Sequence, residues 1–125
     1  MKIFLAEDNE DNFTVIQSNL KKFSQSVELI WARDGLEAQE KLETLFDIDL
    51  FLIDIEMPRM DGIALTGWIR EQKRFENNYI IAITASVFAE MKKLYLQKGF
   101  NAILEKPFSR KEFLHALKNT GVADD

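Results

Sequence analysis

The sequence predicts an α/β protein, a single parallel sheet of five strands with helices on both faces. Five short apolar runs alternate with five longer stretches in which apolar residues recur at helical spacing. The central run, Leu50 to Ile53, is apolar at every position, as a strand covered on both faces requires. Polar residues follow directly on the apolar runs: Glu7 and Asp8, Asp54, Thr84 and Lys106. Right-handed crossovers between parallel strands bring all such positions to one edge, where ligands of these sheets sit.

The elements follow in order. Residues 3–6 form a short buried strand ending at Glu7-Asp8-Asn9. Val15, Ile16, Leu20 and Phe23 then mark the first helix, with Lys21 and Lys22 complementing its C-terminal end. Residues 27–31 read as the second strand. Asp34-Gly35-Leu36-Glu37 opens the next helix in capping-box spacing, and Leu36, Ala38, Leu42 and Leu45 supply its apolar stripe. After the central strand, Pro58 and Gly62 force a loop, and a helix is expected over 63–74, carrying Leu65, Trp68 and Ile69. Lys73 and Arg74 are expected to complement a helix C-terminus. Asn77-Asn78 makes a turn into the fourth strand, 79–83, which ends in Thr84-Ala85-Ser86. The helix over 88–98 stops at Gly99. The fifth strand, 102–104, ends at Glu105-Lys106-Pro107, and Ser109 with Glu112 forms a capping box for a last helix with Phe113, Leu114 and Leu117. The domain is expected over 1–120, with a frayed tail over 121–125.

Composition narrows the function. The 125 residues fit one domain, and 46% apolar with 30% charged residues suits a full core. There is no cysteine and one histidine, which excludes disulfides, thiolate chemistry and multi-histidine metal sites. His115 reads as an ordinary helix-surface or core-edge residue. No apolar run approaches membrane-span length, and the four residues before Glu7 are too few for a signal-peptide core. A net charge of −5 argues against direct nucleic-acid binding. A cytoplasmic location and no membrane partner are the expectations, and Met1 directly before the first strand suits a stand-alone protein. Most of the aromatic residues, Trp31 and Trp68 among them, read as core or core-edge.

The sheet edge carries the chemistry. Glu7, Asp8 and Asp54 gather like charges that need a compensating cation. Oxygen ligands without histidine or thiolate suit Mg²⁺. Lys106 adds an ammonium and Thr84 a hydroxyl, and the set can stabilise the oxygens of a phosphoryl group. A carboxylate in such a place can accept that group as an aspartyl phosphate.

With Glu7-Asp8, Asp54 followed by Met57-Pro58 and Met60-Asp61-Gly62, Thr84-Ala85 and Lys106-Pro107-Phe108 in this order, the chain resembles a response-regulator receiver domain along nearly its whole length. Glu7-Asp8-Asn9 with Asn12 is similar to receivers of hybrid histidine kinases and phosphorelays. The resemblance implies a doubly wound, flavodoxin-like sheet of strand order 2-1-3-4-5. It implies Asp54 as phosphoryl acceptor, and Mg²⁺ bound by Asp54, directly by Asp8, mostly through water by Glu7, and by the backbone carbonyl of Glu56. It also implies Thr84 and Lys106 on the phosphoryl oxygens, helped by the Ala85 amide, and a cis Lys106–Pro107 bond. One departure stands out: the family's usual aromatic, three positions before the lysine, is here Ile103.

The function implied is phosphorylation-controlled signalling. A phosphohistidine on a sensor histidine kinase or a histidine phosphotransfer protein is the donor, and an unknown downstream protein is the recipient of the signal. The protein would not be an enzyme beyond its own phosphorylation and dephosphorylation. The alternatives are a degenerate receiver that only binds partners, and an aspartyl-nucleophile phosphatase. The second would need an Asp two residues after Asp54, where Glu56 stands.

Overall fold

A computed structural model of the protein describes residues 1–85 and 87–122. Five strands, β1 (Lys2–Ala6), β2 (Glu28–Ala32), β3 (Leu50–Asp54), β4 (Tyr79–Thr84) and β5 (Ala102–Glu105), alternate with α1 (Glu10–Phe23), α2 (Gly35–Leu42), α3 (Gly62–Glu71), α4 (Ala89–Gln97) and α5 (Arg110–Lys118). All neighbouring strands pair in parallel, in the order β2-β1-β3-β4-β5. This is the doubly wound flavodoxin-like architecture expected from the sequence.

Strand alternation sorts the core into two layers. Phe4, Ala6, Phe51, Ile53, Ile80 and Ala82 face α2, α3 and α4, where Leu42, Leu65, Ile69 and Tyr95 pack on them. Ile3, Leu5, Leu50, Leu52, Ile81 and Ile83 face the other way, onto Ile16 and Leu20 of α1 and Phe113 and Leu117 of α5. Every residue of β3 is buried, so the whole apolar run of that strand is used.

Side-chain caps start four of the helices. Asn9, Asp34, Asp61 and Ser109 each accept from the amide three residues on, at 2.9, 2.8, 2.8 and 3.0 Å. Ser109 and Glu112 complete the reciprocal capping box. At Asp34 the reciprocal bond shifts by one residue, because Glu37 accepts from the Arg33 amide at 3.1 Å. The N-cap of α4, Phe88, has no side chain able to make such a bond, and it is 73% exposed.

The helix expected over 63–74 ends earlier. Gln72 takes extended backbone (φ −84°, ψ 114°), and a 3-10 turn over Lys73–Phe75 follows. The break turns Phe75 fully into the core. It also aims Arg74 at the end of α2, where its guanidinium donates to the carbonyls of Leu45 (2.9 Å) and Leu42 (2.6 Å). Arg74 therefore does complement a helix C-terminus, that of α2. Arg70, near the end of α3, donates to the carbonyls of Phe75, Glu76, Asn78 and Gly99 and to the Asn101 side chain. It fastens the start of β4 to the connection between α4 and β5, at the rim opposite the acidic residues. In the expected tail, Val122 packs against the α5 side of the core, and residues 123–125 lie outside the described residues.

Candidate functional site

The site is assembled at the carboxyl edge of the sheet from strand ends and the residues just beyond them. Asp54 is the last residue of β3 and Thr84 the last of β4, while Glu7 follows β1 and Lys106 follows β5. Glu7, Asp54 and Thr84 are buried, and Asp8 is exposed. One carboxylate oxygen each from Glu7, Asp8 and Asp54 lies within 4.8 Å of the others. The Lys106 ammonium reaches into this group, 3.0 Å from Asp54 Oδ2 and 3.4 Å from Glu7 Oε1. The Lys106 amide donates to the Thr84 carbonyl at 2.9 Å, which ties β5's exit to β4. The Lys106–Pro107 peptide is cis, as expected.

Backbone groups hold the acids in place. Asp54 Oδ1 accepts from the Glu56 amide at 3.1 Å, and Glu7 Oε2 accepts from the Asn9 amide at 3.1 Å. The Glu56 side chain itself is exposed. Gly62 approaches β3 so closely that a Cβ there would fall on the Asp54 carbonyl. Gly35 meets Met60 in the same way, so α2 is pressed against the loop following Asp54. That loop is also gripped by an ion pair: Asp34 Oδ2 holds the Arg59 guanidinium at 2.7 Å, and Arg59 stands at φ 66°, a left-handed conformation that costs a residue with a side chain.

Crowding sets the electrostatics. Burial, and then the nearby Asp54 charge, push the Glu7 carboxyl up to about 7, against the opposing pull of the Asn9 amide and Lys106. Burial also raises Asp54, although Lys106 opposes it. Burial works against the Lys106 ammonium, but Asp54 and Glu7 hold it above its ordinary range. Three carboxylates share a single ammonium here, so the cluster is short of positive charge. Glu7 Oε1 is buried, makes no well-formed hydrogen bond, and has the Lys106 ammonium beside it at 3.4 Å. Three carboxylates sharing one ammonium, with one buried oxygen short of hydrogen bonds, fit a hard divalent cation such as Mg²⁺.

The sequence-predicted residues Glu7, Asp8, Asp54, Thr84 and Lys106 thus lie at one sheet edge, and of Glu56 it is the amide that reaches Asp54. His115 stays apart on an exposed face of α5. Of the aromatic residues near the last two helices, Tyr95, Phe100 and Phe113 are core, and only Phe88 stands mostly in solvent. Ile103 is half-buried and packs against the layer containing Ala82. Sequence reasoning missed the Asp34–Arg59 pair and the part played by Trp31, whose indole donates to the Glu7 carbonyl at 2.7 Å. The available signal was register: Trp31 lies opposite Leu5, two residues before Glu7, in a neighbouring parallel strand.

Known proteins resemble this chain along most of its length. The autoinducer 2 sensor kinase/phosphatase LuxQ of Vibrio vulnificus is 36% identical over 112 residues, which are 90% of this chain but only 13% of LuxQ. The polar-differentiation response regulator DivK of Brucella ovis is 29% identical over 117 residues, 94% of this chain and 93% of DivK. Among solved structures, the receiver domain of sensor histidine kinase PA1611 from Pseudomonas aeruginosa, with a magnesium ion coordinated in its active site cleft, superposes with a TM-score of 0.84 at 34% identity, over 95% of each chain. The sequence profile of the response regulator receiver domain matches residues 3–118, from within β1 to the last residue of α5. The chain belongs to the response regulator receiver domain family of two-component signalling.

Proposed function

We propose that Asp54 accepts the phosphoryl group and that the acids around it hold Mg²⁺. The reading is carried by the Asp54 carboxylate, buried yet paired with Lys106 and within reach of Glu7 and Asp8 oxygens. Asp8, Asp54 and the Glu56 carbonyl would hold the cation directly and Glu7 mostly through water; bound there, it neutralises charge on the phosphoryl oxygens.

The donor is a phosphohistidine, on a sensor histidine kinase or a histidine phosphotransfer protein. An Asp54 carboxylate oxygen forms the new O–P bond as the P–N bond breaks, and the electron pair leaves with the imidazole nitrogen. Lys106 then pairs with the phosphoryl group, and the Thr84 hydroxyl and Ala85 amide bind its oxygens. Water later attacks phosphorus and releases phosphate, restoring the carboxylate. The domain acts as a regulatory phosphoacceptor and not as an enzyme on other substrates. The phosphatase reading is disfavoured because the Glu56 side chain points to solvent and its amide, not its carboxyl, engages Asp54.

The signal then passes by partner binding or by onward transfer to a downstream protein. A net charge of −5 speaks against direct binding to nucleic acid. Among the described residues no helix is long and apolar enough to cross a membrane. A cytoplasmic location goes with this reading. The domain is proposed to span 1–120.

The test is Mg²⁺-dependent labelling by a small phosphodonor, followed by mass spectrometry. Unaltered protein should gain one phosphoryl group, and chelation or Asp54→Asn should abolish it while the circular dichroism spectrum is kept. Stoichiometric, stable labelling of Asp54→Asn would overturn the assignment.

A further inference from the structure

Glu7 is the one wholly buried acid of the cluster. Its backbone is held from β2 on both sides. The Glu7 amide donates to the Ala32 carbonyl at 3.0 Å, a bond in line with the sheet ladder. The Glu7 carbonyl accepts from the Trp31 indole at 2.7 Å, a bond the ladder does not supply. The indole is itself braced. It stacks on Phe13 of α1 with ring centroids 3.9 Å apart and planes 12° from parallel. The Arg33 guanidinium lies over it at 4.5 Å, and Arg33 reaches Glu10 in the first turn of α1 at 3.8 Å.

A tryptophan with a single N–H places that donor in one direction only, so the stack decides where the Glu7 carbonyl sits. The side chain of the same residue ends in Oε1, the buried oxygen of the acidic cluster that Lys106 faces at 3.4 Å without a well-formed hydrogen bond. We infer that Trp31 is a positioning residue for the cation site: its indole N–H, aimed by the Phe13 stack, fixes the Glu7 main chain and thereby the Glu7 carboxylate. The inference rests on the Mg²⁺ reading above. Groups behind a metal's ligands orient them and affect metal affinity; Trp31 acts through the Glu7 main chain, and Glu7 in turn through water on the cation.

The experiment is a Mg²⁺ titration followed by amide and indole ¹H–¹⁵N spectra, on unaltered protein and on Trp31→Phe. Phenylalanine keeps an aromatic ring against Phe13 and removes the donor, at the cost of one ring's volume from a half-buried position. The expected result is a Mg²⁺ affinity several-fold weaker in Trp31→Phe, less than the roughly tenfold that losing a direct partner of a ligand costs. Thermal unfolding of the metal-free variant should shift by only a few degrees, on the order of 5 °C or less. A purely structural role would lower the unfolding temperature and leave the affinity alone, which would overturn the inference. Unaltered protein gives a second measurement. There the Trp31 indole N–H should shift with the same midpoint as the Glu7 and Asp54 amides, while the Trp68 indole stays still. A silent Trp31 indole beside responding Glu7 and Asp54 amides overturns the inference alone. No Mg²⁺ response anywhere in unaltered protein overturns the cation reading and this inference with it.

Discussion

Raising the pH without divalent cations should weaken this fold. The Glu7 carboxyl is shifted from 4.5 to about 7 in the folded chain. Its folded value lies above its unfolded value, so the folded state binds more protons across that window. Stability therefore falls as pH rises from the unfolded value, and the loss is complete above the folded one. At ~1.4 kcal/mol per tenfold, the shift corresponds to roughly 3 kcal/mol. Asp54 is raised too and works in the same direction. The lowered carboxyls, Asp34, Asp47 and Glu112, lose their contribution only as pH falls below the ordinary carboxyl range, outside this window. The assay is urea unfolding at about pH 5 and about pH 8, with chelator and with Mg²⁺. With chelator the midpoint should drop at the higher pH, and Mg²⁺ should restore it by supplying the missing positive charge. Glu7→Gln, neutral at both values, should flatten most of the slope. A chelated protein that is equally stable at both values, or a slope unchanged in Glu7→Gln, would refute the reasoning.

Asp8→Ala should weaken Mg²⁺ binding by roughly tenfold or more and leave metal-free stability unchanged or higher, since it relieves repulsion among the acids; calorimetric titration and urea unfolding check both. Gly62→Ala should destabilise by roughly 1–3 kcal/mol, because the new Cβ meets the Asp54 carbonyl and not a yielding side chain. That variant should also label more slowly, since Asp54 itself is displaced. A phosphoryl mimic with Mg²⁺ should shift amides chiefly around Thr84 and Phe88 and near the start of α1, because Ile103 offers no ring to rotate. Large shifts throughout β5 and α5, weakened by Ile103→Ala, would contradict this.

Much of the molecule was legible because its signals are local. The apolar run at Leu50 to Ile53 is a buried strand wherever it occurs, and Ser109 with Glu112 caps a helix by contacts three residues apart. The acidic cluster was legible because parallel crossovers bring strand ends to one edge regardless of side-chain detail. What escaped depends on long-range geometry. The stop of α3 at Gln72 is decided by the core's demand for Phe75 and by the distant carbonyls of Leu42 and Leu45, which no helical period encodes. Arg70 gathers carbonyls from segments up to Gly99, a role that no local pattern in the sequence marks. Trp31 read as core-edge because an indole's direction is fixed by its neighbours, Phe13 and Arg33, and not by its own position in the chain.

The anchoring by Arg70 has a mechanical consequence for α4. The carbonyl of Gly99, just past the last turn of that helix, is held by two guanidinium nitrogens at 3.0 and 2.7 Å. At its other end Phe88 makes no side-chain capping bond, its carbonyl accepting only from the Met91 and Lys92 amides of the helix itself, and among its described residues only Tyr95 is buried. A rod pinned at one tip and held less firmly at the other would turn a pull at Thr84 into rotation about the pin more readily than into sliding. Displacement would then be largest at Phe88 and shrink toward Gly99. A movement of atomic size at the acidic edge would be read by a docked partner as a change in the tilt of α4.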